Sequence, residues 1–92
     1  MIVRIATESQ YRLPEDDADA LNELDNEVVA AIEAGDEDRF HELFEQMLDL
    51  VRRAGTPLDE DELEESDVIL PPPDTSFVEA AEEFTGEGLI PD

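Results

Sequence analysis

The chain has 92 residues, 28 of them acidic and only five basic, for a net charge of −23. That length suits one domain, residues 1–92, with a modest core. The charge repels nucleic-acid phosphate and anionic lipid head groups and so argues against binding either directly. The absence of cysteine removes disulfides, thiolate metal sites and redox chemistry, and no apolar run approaches the ~20 residues that span a bilayer.

Ile2-Val3-Arg4-Ile5-Ala6 is short and β-branched and reads as a strand. Thr7 to Gln10 reads as a polar turn, and Tyr11-Arg12-Leu13 as the returning strand of a hairpin, ended by Pro14. From about Asp17 to Ala34, Leu21, Leu24, Val28, Ala31 and Ile32 recur at spacings of three and four, the stripe of an amphipathic helix. Acidic residues at its start suit the helix dipole, and Gly35 stands where a left-handed cap belongs.

A second helix opens at once, with Asp36 as N-cap and Phe40, Leu43, Phe44, Met47, Leu48 and Val51 as its apolar face. Arg52 and Arg53 fall in the last turn, and Gly55 closes it. A connection this short folds the two helices into an antiparallel hairpin. Thr56-Pro57-Leu58 begins a loop, and Asp59 to Glu65 reads as a solvated acidic run, loop or frayed helical turn, around Leu63.

Val68-Ile69-Leu70 is a third strand, followed by Pro71-Pro72-Pro73 as extended polyproline II. Ser76 and Glu79 have the spacing of a capping box at the start of a last helix. Phe77, Ala80, Ala81 and Phe84 form its apolar face. Gly86 and Gly88 stop it, and Leu89-Ile90-Pro91 packs back. The expected class is α+β in the order β-β-α-α-β-α, a three-stranded sheet with one face under the helical hairpin.

Every cation is arginine, and none follows Arg53, whereas 13 acidic residues do. Repulsion within such a body is severe in dilute buffer and mild near ~1 M salt, where the screening length falls to about 3 Å. The charge is therefore read as adaptation to concentrated salt. The alternative is an acidic decoy that occupies a nucleic-acid-binding protein.

Catalytic machinery does not assemble on paper. His41 is the one histidine. It starts His41-Glu42-Leu43-Phe44-Glu45, where a zinc-protease helix needs a second histidine in place of Glu45. It is read as a surface residue at the edge of the phenylalanine stripe. Asp59-Glu60-Asp61-Glu62 alternates like a calcium loop, but Glu64 stands where that loop needs glycine. Close carboxylate pairs are inevitable at this acid density and carry no specificity. Ser9, Ser66 and Ser76 lack an assigned base. No catalytic, metal, cofactor or small-molecule site is expected. What remains suits contact: apolar Leu63, Val78, Leu89 and Ile90 in polar surroundings, and the clustered cations Arg52 and Arg53.

Read end to end, the chain resembles the PspAA family of small proteins associated with the phage-shock protein PspA in actinobacteria and archaea. The resemblance rests on Met1-Ile2-Val3-Arg4-Ile5 with Gln10-Tyr11, then Leu21-Asn22-Glu23-Leu24-Asp25-Asn26 and Ala34-Gly35-Asp36. It continues through Gly55-Thr56-Pro57-Leu58 and Ser66-Asp67-Val68-Ile69-Leu70-Pro71-Pro72 to Gly86-Glu87-Gly88-Leu89-Ile90-Pro91. Ser9 departs from it, where the family would favour glycine in the turn.

The resemblance implies a non-enzymatic partner or regulator of PspA, a membrane-remodelling coiled-coil protein of the envelope stress response. No family site residues carry over. The expectation is a cytoplasmic protein with a PspA-like partner as its route to the membrane. Contact is expected through the sheet face or the Leu89-Ile90 segment, with Arg52 and Arg53 facing acidic partner helices.

Overall fold

The computed structural model describes residues 1–62 and 64–84. Strands β1 (Ile2–Ile5) and β2 (Gln10–Arg12) form the expected hairpin, and helices α1 (Glu15–Ala34) and α2 (Glu37–Ala54) follow. Then come β3 (Thr56–Pro57), one 3₁₀ turn at Glu60–Glu62, β4 (Val68–Leu70) and α3 (Phe77–Glu83). The class is α+β, as the sequence predicts.

The sheet has four strands rather than three, in the order β3-β2-β1-β4. The addition is Thr56–Pro57, expected as loop, which pairs antiparallel with Tyr11 and Arg12. At the other side β4 runs parallel to β1, with Val3 opposite Val68 and Ile5 opposite Leu70. The chain must therefore cross from one edge of the sheet to the other between Leu58 and Asp67.

Local chemistry explains the helices. The structure starts α1 at Glu15, two residues before the expected point. Pro14 supplies a fixed φ of −60°, and Glu15, Asp16 and Asp17 meet the positive end of the dipole. Gly35 adopts φ 72°, the left-handed cap that favours glycine. The Asp36 side chain accepts from the Arg39 N–H, and Ser76 and Glu79 form a reciprocal capping box. Gly55 ends α2 in an extended conformation for a different reason. A Cβ there would lie 2.5 Å from the Val51 carbonyl oxygen and 2.9 Å from Tyr11 Cβ.

One further expectation needs correction. The proline run is not extended throughout, because the Thr75 N–H donates to the Pro72 carbonyl and turns the chain at Pro73-Asp74. The left-handed residue of the first hairpin is Thr7, at φ 70°, so the turn does not demand glycine at Ser9.

The core lies between the inner sheet face and the hairpin. Val3, Ile5, Leu13, Val68 and Leu70 pack against Leu21 and Val28 of α1 and the apolar stripe of α2. All four phenylalanines converge: Phe40 stacks on Phe44 at 5.5 Å and meets Phe77 and Phe84 edge-on at 5.6 and 6.4 Å. This cluster fastens α3 to α2. Ala81, expected on its apolar face, is exposed, since a seven-residue helix turns only two full turns against α2. Gly86, Gly88 and Leu89-Ile90-Pro91 lie outside the described residues.

Candidate partner-binding surfaces

Side chains alternate across a strand, so Arg4, Gln10, Arg12 and Ile69 share the sheet face opposite the helices. The crossing segment lies over part of that face. Gln10, expected in a polar turn, is 2 % exposed and holds the segment. Its amide nitrogen donates to the Glu64 carbonyl at 2.6 Å and to Ser66 Oγ at 2.7 Å, and its oxygen accepts from the Glu64 N–H at 3.2 Å. Arg12 pairs with the Glu64 carboxylate at 2.6 Å, and the Ile2 N–H donates to Asp67 at 2.8 Å. The acidic run is thus strapped to the sheet by specific hydrogen bonds. Toward the β4 edge, Ile69 stays 58 % exposed.

The solvent side of the helical hairpin is different. A groove of about 380 Å³ runs between α1 and α2, floored by Ala20, Leu24 and Leu50 and rimmed by Glu23, Glu27, Asp49 and Arg53. A second hollow continues it toward the Gly35 turn, lined by Ala30, Ala31 and Ala34 and by Arg39, and shares Glu27 with the first. Leu24 was expected in the core stripe, yet it is only half-buried, as is Leu50.

The expected contact residues that are described, Arg52, Arg53 and Val78, do not gather in one place. Arg52 and Arg53 are 100° apart around α2 and part company. Arg52 is taken up inside the molecule: its Nε donates to Glu8 Oε1 at 3.1 Å and its Nη2 to Glu8 Oε2. That hydrogen bond leads the causes that hold its pKa above the ordinary arginine value, with the nearby Glu8 charge acting in the same sense and burial opposing. Arg53 lines the hairpin groove. Val78 is 70 % exposed and borders a separate hollow with His41, Pro73 and Phe77. Leu63, Leu89 and Ile90 lie outside the described residues.

Of the five arginines, Arg12, Arg39 and Arg52 have acidic partners, Glu64, Glu27 with Glu42, and Glu8 with Asp49 respectively. Arg4 and Arg53 make no ion pair among the described residues. His41 is exposed, with its ring 5.0 Å from Phe40. Among the described residues no cluster of three or more His, Asp or Glu side chains could hold a metal ion, and no helix is long and apolar enough to cross a membrane. Buried Asp25, on α1, was not anticipated as a core residue, and no buried side-chain polar atom among the described residues lacks a partner.

The molecule is therefore a small α+β body with a strapped sheet face and an open helical groove. The chain belongs to the PspAA family of PspA-associated proteins, whose family model matches residues 1–92. Neither the curated proteins nor the solved structures yield a significant match.

Proposed function

We propose that this chain is a non-enzymatic adaptor or regulator that binds a PspA-like coiled-coil protein in the envelope stress response of a halophilic archaeon. The observation that carries the reading is the family match along all 92 residues, to a family described by its association with PspA. Physics supports the same direction. A body of charge −23 is repelled by anionic lipid and reaches a membrane surface through a protein. The residues 1–92 act as one unit in this reading, and neither nucleic acid nor a small-molecule substrate is a ligand.

The salt environment follows from the charge. At ~2 M KCl the screening length is below about 3 Å, so mutual repulsion among carboxylates fades while apolar burial persists. The protein should be more stable in molar KCl than in dilute buffer.

Size-exclusion chromatography with light scattering tests the pairing directly. The protein is mixed with the PspA-like protein of its own organism in ~2 M KCl, under strong screening. Co-elution in a defined ratio is the expected result. Separate elution of two folded proteins sinks the adaptor reading. Binding to a basic partner that weakens steeply with salt would replace it with a nucleic-acid decoy.

A further inference from the structure

We propose that the groove along the α1/α2 hairpin is the seat of a partner's amphipathic helix, one with an apolar stripe, a basic side chain toward Glu23 and a carboxylate toward Arg53. The two hollows that share Glu27 lie in one line from Ala20 to the Gly35 turn, with the Glu27–Arg39 ion pair joining α1 and α2 where they meet. At 1.5 Å per residue that line is about 20 Å long, roughly four helical turns. A helix of two heptads fills it.

The floor suits such an occupant. Alanines at both ends allow a third helix to approach within the usual 8–10 Å between axes, roughly as in coiled-coil packing. Leu24 and Leu50, half-buried side by side, present an apolar hole for a partner's leucine knob.

The rim supplies orientation. On the α1 side Glu27 is paired with Arg39 at 3.6 Å, and Glu23, one turn away, makes no ion pair among the described residues and faces the partner as a negative charge. On the α2 side Asp49 is paired with Arg52 at 3.9 Å, whereas Arg53 makes no ion pair among the described residues, although the chain carries 28 carboxylates. A carboxylate on the incoming helix provides its counterpart. Flanking charges of this kind set partner choice and direction in coiled coils.

The other faces fit a helix less well. The crossing segment occupies part of the outer sheet face, with Gln10 fully engaged beneath it. The Val78 hollow is broken by the Pro73-Asp74 turn, and one turn along α3 it meets only the small Ala81 and the charged Glu82. A second copy of this chain would bring another body of net charge −23 onto the groove.

The natural partner's identity rests on the adaptor reading above, whereas the groove is tested separately. The isotope-labelled full chain is titrated in ~2 M KCl, where long-range attraction is screened. The probe is a synthetic helical peptide of about 20 residues with leucine at a and d, lysine on one flank and glutamate on the other. Saturable binding with amide shifts confined to the α1/α2 groove is expected. Leu50→Glu, at a half-exposed position, should weaken it by at least about tenfold. Arg53→Glu should weaken it too, and lysine in place of the facing glutamate on the peptide should restore it.

Shifts on the sheet face or α3, unchanged affinity in Leu50→Glu, or no saturable binding would overturn the groove. So would concentration-dependent dimerisation that Leu50→Glu abolishes. The PspA-like protein forms the second arm. If it ignores the chain while the peptide enters the groove, the adaptor reading falls and the groove stands. If it binds Leu50→Glu as tightly as the native chain, the groove falls and the adaptor reading stands.

Discussion

The two solvent-side faces of this molecule are built on the same core and finished in opposite ways. On the sheet side, the chain's own acidic segment crosses the strands and is held by Gln10, Arg12 and the Ile2 amide. On the hairpin side, Leu24 and Leu50 are left half-covered between charged rims. The difference shows that acidity does not by itself distinguish a contact surface from a finished one. The acidic segment is fixed through backbone hydrogen bonds to a buried amide, which no change in salt screens away. The groove is the face where apolar side chains stay half-exposed.

Predictions that break or sharpen this contrast fall in order of size. Phe40 is fully buried and touches three other phenylalanines, so it belongs to the core that both faces share. Phe40→Ala should cost about 3–5 kcal/mol, read from denaturant unfolding in molar KCl, and should loosen both faces. A loss below about 1 kcal/mol would mean that α3 is not fastened by this cluster.

Gln10→Ala isolates the closed face. It leaves the Glu64 amide and carbonyl without their buried partner, and a loss of about 2 kcal/mol is expected. Hydrogen exchange at Glu64 should quicken while exchange in the α2 core is little altered. Leu50→Ser on the open face should cost less than Gln10→Ala, because its side chain is already half in water. Equal costs would erase the distinction between the faces.

Thr7 provides a gain rather than a loss. A β-branched residue at φ 70° carries a penalty of roughly 1–2 kcal/mol, and asparagine tolerates that region better. Thr7→Asn should therefore raise stability by up to about 1 kcal/mol, measured as a shift in the unfolding midpoint with no change in slope. No gain would place the turn in another conformation.

Arg52→Gln is the smallest effect. The pair with Glu8 is bidentate, but the arginine side chain is 37 % exposed and solvent screens it. Its removal should cost less than about 1 kcal/mol and still less as KCl rises. A salt-independent cost above that range would mark Arg52 as a structural anchor for the β1–β2 turn.

Much of the fold was legible because its signals are local. Gly35, Asp36 and the Ser76–Glu79 pair announce helix ends within four residues of where they act, and the α2 stripe matches the buried set residue for residue. What escaped depends on distant partners. Thr56–Pro57 is a strand only because Tyr11 and Arg12 lie beside it, and a proline carries no strand signal of its own. Gln10 looks like a turn residue until Glu64 and Ser66, more than 50 positions away, come to rest on it. The groove was illegible for a related reason. Leu24 fits the α1 stripe by spacing, and Leu50 belongs to no stripe, so only the crossing of the two helices reveals them as neighbours.

The claim at the centre of this account is that the open hairpin face, and not the strapped sheet face, receives a PspA-like coiled coil. Photo-crosslinking tests it most directly. A photoreactive side chain is placed at position 50 in one variant and at position 69 in another, each mixed with the PspA-like protein in molar KCl. The account predicts a crosslinked heteromeric species from position 50 and none from position 69. Crosslinking from position 69 alone would contradict it and move the interface to the β4 edge.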